Sequence, residues 1–117
     1  MQHIAFATDD LLATVAQLER NGVRLLAMPE NYYDDLEAKT DLPAEQLATL
    51  TRHNILYDRE GSAEYLQVYT ETFDQRFFFE IVQRRGYRGY GAANAPVRLA
   101  AQARLSSDDG ALAERLR

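Results

Sequence analysis

At 117 residues the chain has room for one small domain with a core and not for two. Its 46% hydrophobic and 26% charged content is that of a globular protein, and a net charge of -5 without a basic stripe argues against a phosphate-backbone partner. The absence of cysteine removes disulfides, thiolate metal sites and Cys nucleophiles, while no apolar run reaches the ~20 residues of a membrane span and no basic-then-apolar leader opens the chain, so cytoplasm is the default expectation.

The run from Gln2 to Thr8 has β character and carries His3, one of two histidines. Side chains alternate along a strand, so His3, Ala5 and Ala7 share one side and Ile4 and Phe6 the other. A strand so close to residue 1 suggests a fragment of something longer. Asp9 or Asp10 can cap a helix in which Leu11, Val15 and Leu18 recur at i, i+4 and i+7, and Asn21-Gly22 ends it. Val23 to Met28 reads as a strand stopped by Pro29. In the excursion that follows, Tyr32 to Ala38 can form a short helix, and Pro43 can open another with Leu47 and Leu50 inward.

Ile55 to Arg59 resumes strand character, and Glu60-Gly61-Ser62 turns it into a hairpin with the segment from Glu64 to Thr70. There Tyr65, Gln67 and Tyr69 alternate with Leu66 and Val68. Phe73 to Arg76 leads into Phe77–Arg84, where one carboxylate, Glu80, interrupts an apolar run. A lone carboxylate in such a run needs a positive partner or a metal, and a pairing Arg or a solvated face is the plain alternative. Phe78, Glu80 and Val82 share a face. Arg84, Arg85 and Arg88 read as a solvated strand end. The glycines from Gly86 to Gly91 do not have phosphate-loop spacing and read as a turn. Asn94 with Pro96 can start a last helix to about Leu105, and residues 106–117 form a frayed or flexible tail.

One sheet accommodates these faces. Its oily side packs on a helix, and its other side forms a cup containing His3, Gln67, Tyr69 and Glu80. Imidazole plus carboxylate suits a divalent first-row metal, and the residues alone supply two ligands.

Taken together, Gln2-His3-Ile4-Ala5, Asn31-Tyr32-Tyr33-Asp34-Asp35-Leu36, Asn54-Ile55-Leu56-Tyr57-Asp58, Leu66-Gln67-Val68-Tyr69-Thr70, Phe78-Phe79-Glu80-Ile81-Val82-Gln83-Arg84 and Gly89-Tyr90-Gly91-Ala92-Ala93-Asn94 resemble, in order, the last module of the 4-hydroxyphenylpyruvate dioxygenase family of the vicinal oxygen chelate superfamily. The resemblance implies an α+β fold: a single βαβββ module over about residues 1–105, half of a barrel, with a C-terminal helix. It implies an Fe(II) site, another divalent metal being possible, with His3 and Glu80 as ligands, and a small 2-oxo acid and O2 as reactants. Gln67, Tyr69, Phe78, Tyr90 and Asn94 fall on the substrate side.

Two departures from the family pattern stand out. The other histidine ligand belongs to a preceding module, and His53 is no substitute. Where the family has Phe after the helix Asn, this chain has Ala95, losing aromatic stacking of about 0.5–1.5 kcal/mol. The ending from Arg85 to Arg98 looks more like the dioxygenase-like half of bacterial two-domain 3-dehydroshikimate dehydratases, which would make the module non-catalytic. A third possibility is a dimeric isomerase or lyase with a shared metal. The expected partner is accordingly a preceding module or a second copy of the chain, with no nucleic acid and no membrane.

Overall fold

A computed structural model describes residues 2–74, 76–86 and 96–105. Strand β1 (Gln2–Ala7) leads to helix α1 (Leu11–Arg20), then α2 (Glu30–Lys39), α3 (Ala44–Arg52), β2 (Leu56–Glu60), β3 (Ala63–Tyr69) and β4 (Phe77–Arg85). Residues 96–105 are helical. The four strands form one sheet in the order β1-β4-β3-β2, with β1 parallel to β4 and the other neighbours antiparallel. This is the open half-barrel βαβββ module expected from the sequence.

Local chemistry sets the boundaries. Asp10 caps α1 by accepting the Ala13 N–H at 3.1 Å, and the helix ends at Asn21 with Gly22 at φ +80. Gly61 takes φ +63 at the first position of the two-residue hairpin loop, where a left-handed residue suits the strand twist. Leu11 and Val15 are fully buried in a core that includes Leu66, Val68 and Ile81 from the oily face of the sheet. Gln83, on that same face, bolts the start of α1 to β4: its Oε1 accepts from Leu11 N at 2.9 Å and its Nε2 donates to Asp9 O at 2.7 Å.

Two expectations need correction. The segment from Val23 to Met28 is not a strand. Leu25 makes an isolated bridge to Thr70, closed by Leu26 N donating to Tyr69 O and Glu71 N donating to Arg24 O, but β3 ends at Tyr69. With no further partner strand to follow, the segment spends Leu26 and Met28 on the core instead. The oily face of β1 is also not packed on a helix. α1 leans on β4, leaving Ile4 48% and Phe6 52% exposed.

Candidate metal centre

Pairing in the sheet aligns side chains that share a face. His3 lies opposite Phe78 in the parallel ladder, Ala5 opposite Glu80, Tyr69 opposite Glu80 and Gln67 opposite Val82. The register therefore brings His3, Gln67, Tyr69, Phe78 and Glu80, drawn from three strands, onto one side. Glu80 is 8% exposed, and its carboxylate is held from behind: Oε1 accepts from Gln67 Nε2 at 3.2 Å and from the Tyr65 hydroxyl at 3.3 Å. Gln67 Nε2 also donates to the Tyr69 hydroxyl. This engages Oε1 and leaves Oε2 facing His3, whose Nε2 is 3.5 Å away.

The imidazole of His3 is set by stacking. Its ring lies 5.3 Å from that of Phe78 at an interplanar angle of 14°, and Phe78 in turn meets Tyr69 edge-on at 5.8 Å. Burial, followed by the nearby Glu80 charge, raises the Tyr69 phenol well above its ordinary range, so this hydroxyl stays protonated at neutral pH.

The pair passes a simple geometric test for a shared ion. Two metal–ligand bonds of ~2.1 Å meeting at octahedral or tetrahedral angles separate their donor atoms by ~3.0–3.4 Å. The observed 3.5 Å is within a small adjustment of that. A nitrogen and a carboxylate oxygen are also the donor types that first-row divalent metals take. Among the described residues no third His, Cys, Asp or Glu joins them. His53 is engaged elsewhere, its Nδ1 lying 2.8 Å from Glu19 Oε1.

Two side chains here were not singled out from the sequence. Tyr65 shares the strand face of Gln67 and Tyr69, so alternation alone could have added it. Arg98, on the helical segment 96–105, places its Cζ 5.6 Å from the Tyr69 ring and 5.8 Å from the Phe78 ring. Its Nε is buried with no hydrogen-bond partner among the described residues. An unmet buried donor costs ~1–3 kcal/mol, and more on a charged group, against ~0.5–2 kcal/mol returned by a cation over aromatic rings. Tyr90 and Asn94, the remaining expected substrate-side residues, lie outside the described residues.

No protein-family model matches the chain. Among curated proteins it is 56% identical over 105 residues to a 3-dehydroshikimate dehydratase of Pseudomonas aeruginosa, a match covering 88% of this chain and 17% of that protein. It is 38% identical over 96 residues to the 4-hydroxyphenylpyruvate dioxygenase of the same organism, covering 80% of this chain and 27% of the relative. Among solved structures it superposes with a TM-score of 0.84, at 54% identity, on a xylose isomerase-like TIM barrel/4-hydroxyphenylpyruvate dioxygenase fusion protein, covering 89% of this chain and 17% of the other. The chain thus spans between about a sixth and a quarter of the length of these relatives.

Proposed function

The chain belongs to the 4-hydroxyphenylpyruvate dioxygenase family, as a single C-terminal-type module similar to the dioxygenase-like half of two-domain 3-dehydroshikimate dehydratases, and on that premise we propose that it is a metal-binding module in which His3 and Glu80 hold a divalent ion, Fe(II) first among them. The observation that carries this reading is the approach of His3 Nε2 to Glu80 Oε2 at 3.5 Å, with the other carboxylate oxygen already engaged. When bound, Fe(II) would activate O2 and offer open coordination positions for it and for a 2-oxo acid such as 4-hydroxyphenylpyruvate, the acid itself supplying the electrons as it loses CO2 and is hydroxylated to homogentisate. The chain's own residues do the rest. Tyr65 and Gln67 fix the carboxylate, Phe78 fixes the imidazole plane, and the protonated Tyr69 phenol offers a donor beside them.

Among the described residues two ligands leave the site short of a third, and β1 suggests where it comes from. This strand is exposed along its whole length, and Ile4 and Phe6 stand uncovered beside the Phe73, Phe77 and Phe79 cluster. An exposed apolar strand edge is a docking surface. The partner proposed for it is a preceding module of a longer chain, with a second copy of this one as the alternative; sedimentation of a stable monomer at micromolar concentration would remove the second copy.

The test is metal retention. Anaerobic loading with Fe(II), gel filtration and elemental analysis should give metal bound by the wild-type chain and lost from His3→Ala; equal retention by the variant would overturn the assignment. Oxygen uptake by the parent protein with 2-oxo acids then separates an active site from a vestige. A second reading is favoured by Ala95 and by the likeness to the fusion protein: a dioxygenase-like domain that supports assembly of a dehydratase without turnover of its own. It predicts retained metal, no oxygen uptake, and loss of assembly when the domain is removed. A shared-metal dimer with isomerase or lyase activity predicts instead that metal and dimer are lost together.

A further inference from the structure

Among the described residues, the two buried side-chain atoms without a hydrogen-bond partner are Arg98 Nε and Gln102 Nε2. Both belong to the helical segment 96–105, four residues apart and therefore one turn apart on one helix face. That is the inward face, since Ala101 is 4% and Gln102 9% exposed. Arg98 fixes the sign of what they await: a guanidinium only donates and does not shed its proton to escape burial. The rings of Tyr69 and Phe78 receive the guanidinium on their π faces but offer no lone pair to Nε–H. Those rings adjoin the candidate metal pair, since Phe78 stacks on His3 and Tyr69 shares Gln67 with Glu80. A cation with an unmet donor thus sits beside a site that already has its own oxyanion, Glu80.

We propose that Arg98, seconded by Gln102 one turn along the helix, is an anion-binding, specificity-determining subsite of the cup, and that the ligand is a small dianion whose far end is a carboxylate. For its near end this rests on the metal reading above, where a 2-oxo acid group meets the ion; the far end rests on Arg98 and Gln102 alone. An uncharged tail leaves the buried donors unmet, and a site built to hydrogen-bond a group discriminates strongly against ligands that lack it. A carboxylate meets guanidinium N–H groups in short, charge-assisted bonds.

The probes are 2-oxoglutarate and 2-oxopentanoate, which share a five-carbon backbone and differ in the tail carboxylate. Each is titrated into the 117-residue chain, metal-free and Co(II)-loaded, while 1H–15N spectra follow the Arg98 Nε–H, identified by its absence in Arg98→Lys. The expected result is a saturable shift of that signal with 2-oxoglutarate, an affinity about tenfold above that for 2-oxopentanoate, and a ratio near one in Arg98→Met. Arg98→Lys keeps the stem and the charge while losing the fork, so it reports if Arg98→Met does not fold; its preference should fall without vanishing. Equal binding of the two acids, an unmoved Nε–H, or an intact preference in both Arg98 variants overturns the subsite. The metal reading fails separately: if Co(II) changes neither affinity while Nε–H still shifts, the subsite stands without it. If Co(II) strengthens both acids equally and Nε–H stays still, the metal reading stands and the subsite falls.

Discussion

β1 and β4 are parallel neighbours in one sheet, yet their surroundings are opposite. β4 has a strand on each side and α1 bolted to its outer face through Gln83, and its residues from Glu80 to Gln83 are buried. β1 has β4 on one side, nothing described on the other, and every residue from Gln2 to Ala7 exposed. The candidate metal ligands fall one on each strand, so the site is half rigid and half provisional. Glu80 is fixed by Tyr65 and Gln67 whatever happens at the edge, whereas His3 depends on a parallel ladder and one ring stack. The difference shows that an aligned register can present side chains without securing them, and under the proposed metal reading the histidine half is the one a neighbour over β1 would fix.

Truncating one aromatic on each strand tests this most directly. Phe78 is 2% exposed and lies beneath His3, Tyr69 and Arg98, so Phe78→Ala should cost ~3–5 kcal/mol in urea unfolding. Phe6, half exposed, should cost less than ~1 kcal/mol in the same chain. Equal costs would mean that β1 is no more marginal than β4.

The ligands themselves should divide the same way. Glu80→Leu removes the buried acceptor shared by the Tyr65 hydroxyl and the Gln67 amide and should lower stability by ~1–3 kcal/mol, while also abolishing metal retention. His3→Ala should remove the metal just as fully yet leave stability within ~0.5 kcal/mol, because its side chain is 47% exposed. Chemical denaturation alongside Co(II) absorption separates the two effects, and a destabilised His3→Ala chain would break the contrast.

Much of this was readable from residue order. Period-two alternation sorts His3 within its strand, Gln67 with Tyr69 in the second and Phe78 with Glu80 in the third, because a strand leaves its side chains no other choice. Alternation does not say who the neighbours are. It could not show that β3 would end at Tyr69 and leave Val23–Met28 a single bridge at Thr70, nor that α1 would lean away from Ile4 and Phe6. Arg98 was invisible for a related reason. Its part depends on where a helix folds back over the sheet, which no local pattern encodes, although the inward spacing of Ala101 and Leu105 relative to it was available.

The smallest effect concerns the sheet's other edge. β2 is also an outer strand, but α2 clamps it: the Tyr32 hydroxyl donates to Tyr57 O at 3.0 Å and accepts from Tyr57 N at 2.9 Å. Burial pushes the Tyr32 phenol up to about 12, partly countered by that backbone hydrogen bond. Tyr57, beside it, is also raised to about 12, first by burial and then by its hydrogen bond to Glu64. A free phenol ionises near ~10, so the folded state favours the neutral form. The contribution is therefore complete below pH ~10 and drains away between ~10 and ~12, where the unfolded chain ionises first. Phenolate absorption at 295 nm should rise together with the loss of far-ultraviolet circular dichroism in that window. Tyr32→Phe should lower stability by ~1 kcal/mol at pH 7, and its alkaline transition should release fewer protons. If all seven tyrosines ionise near pH 10 with the dichroism intact, the β2 edge is as open as β1 and the asymmetry between the two edges disappears.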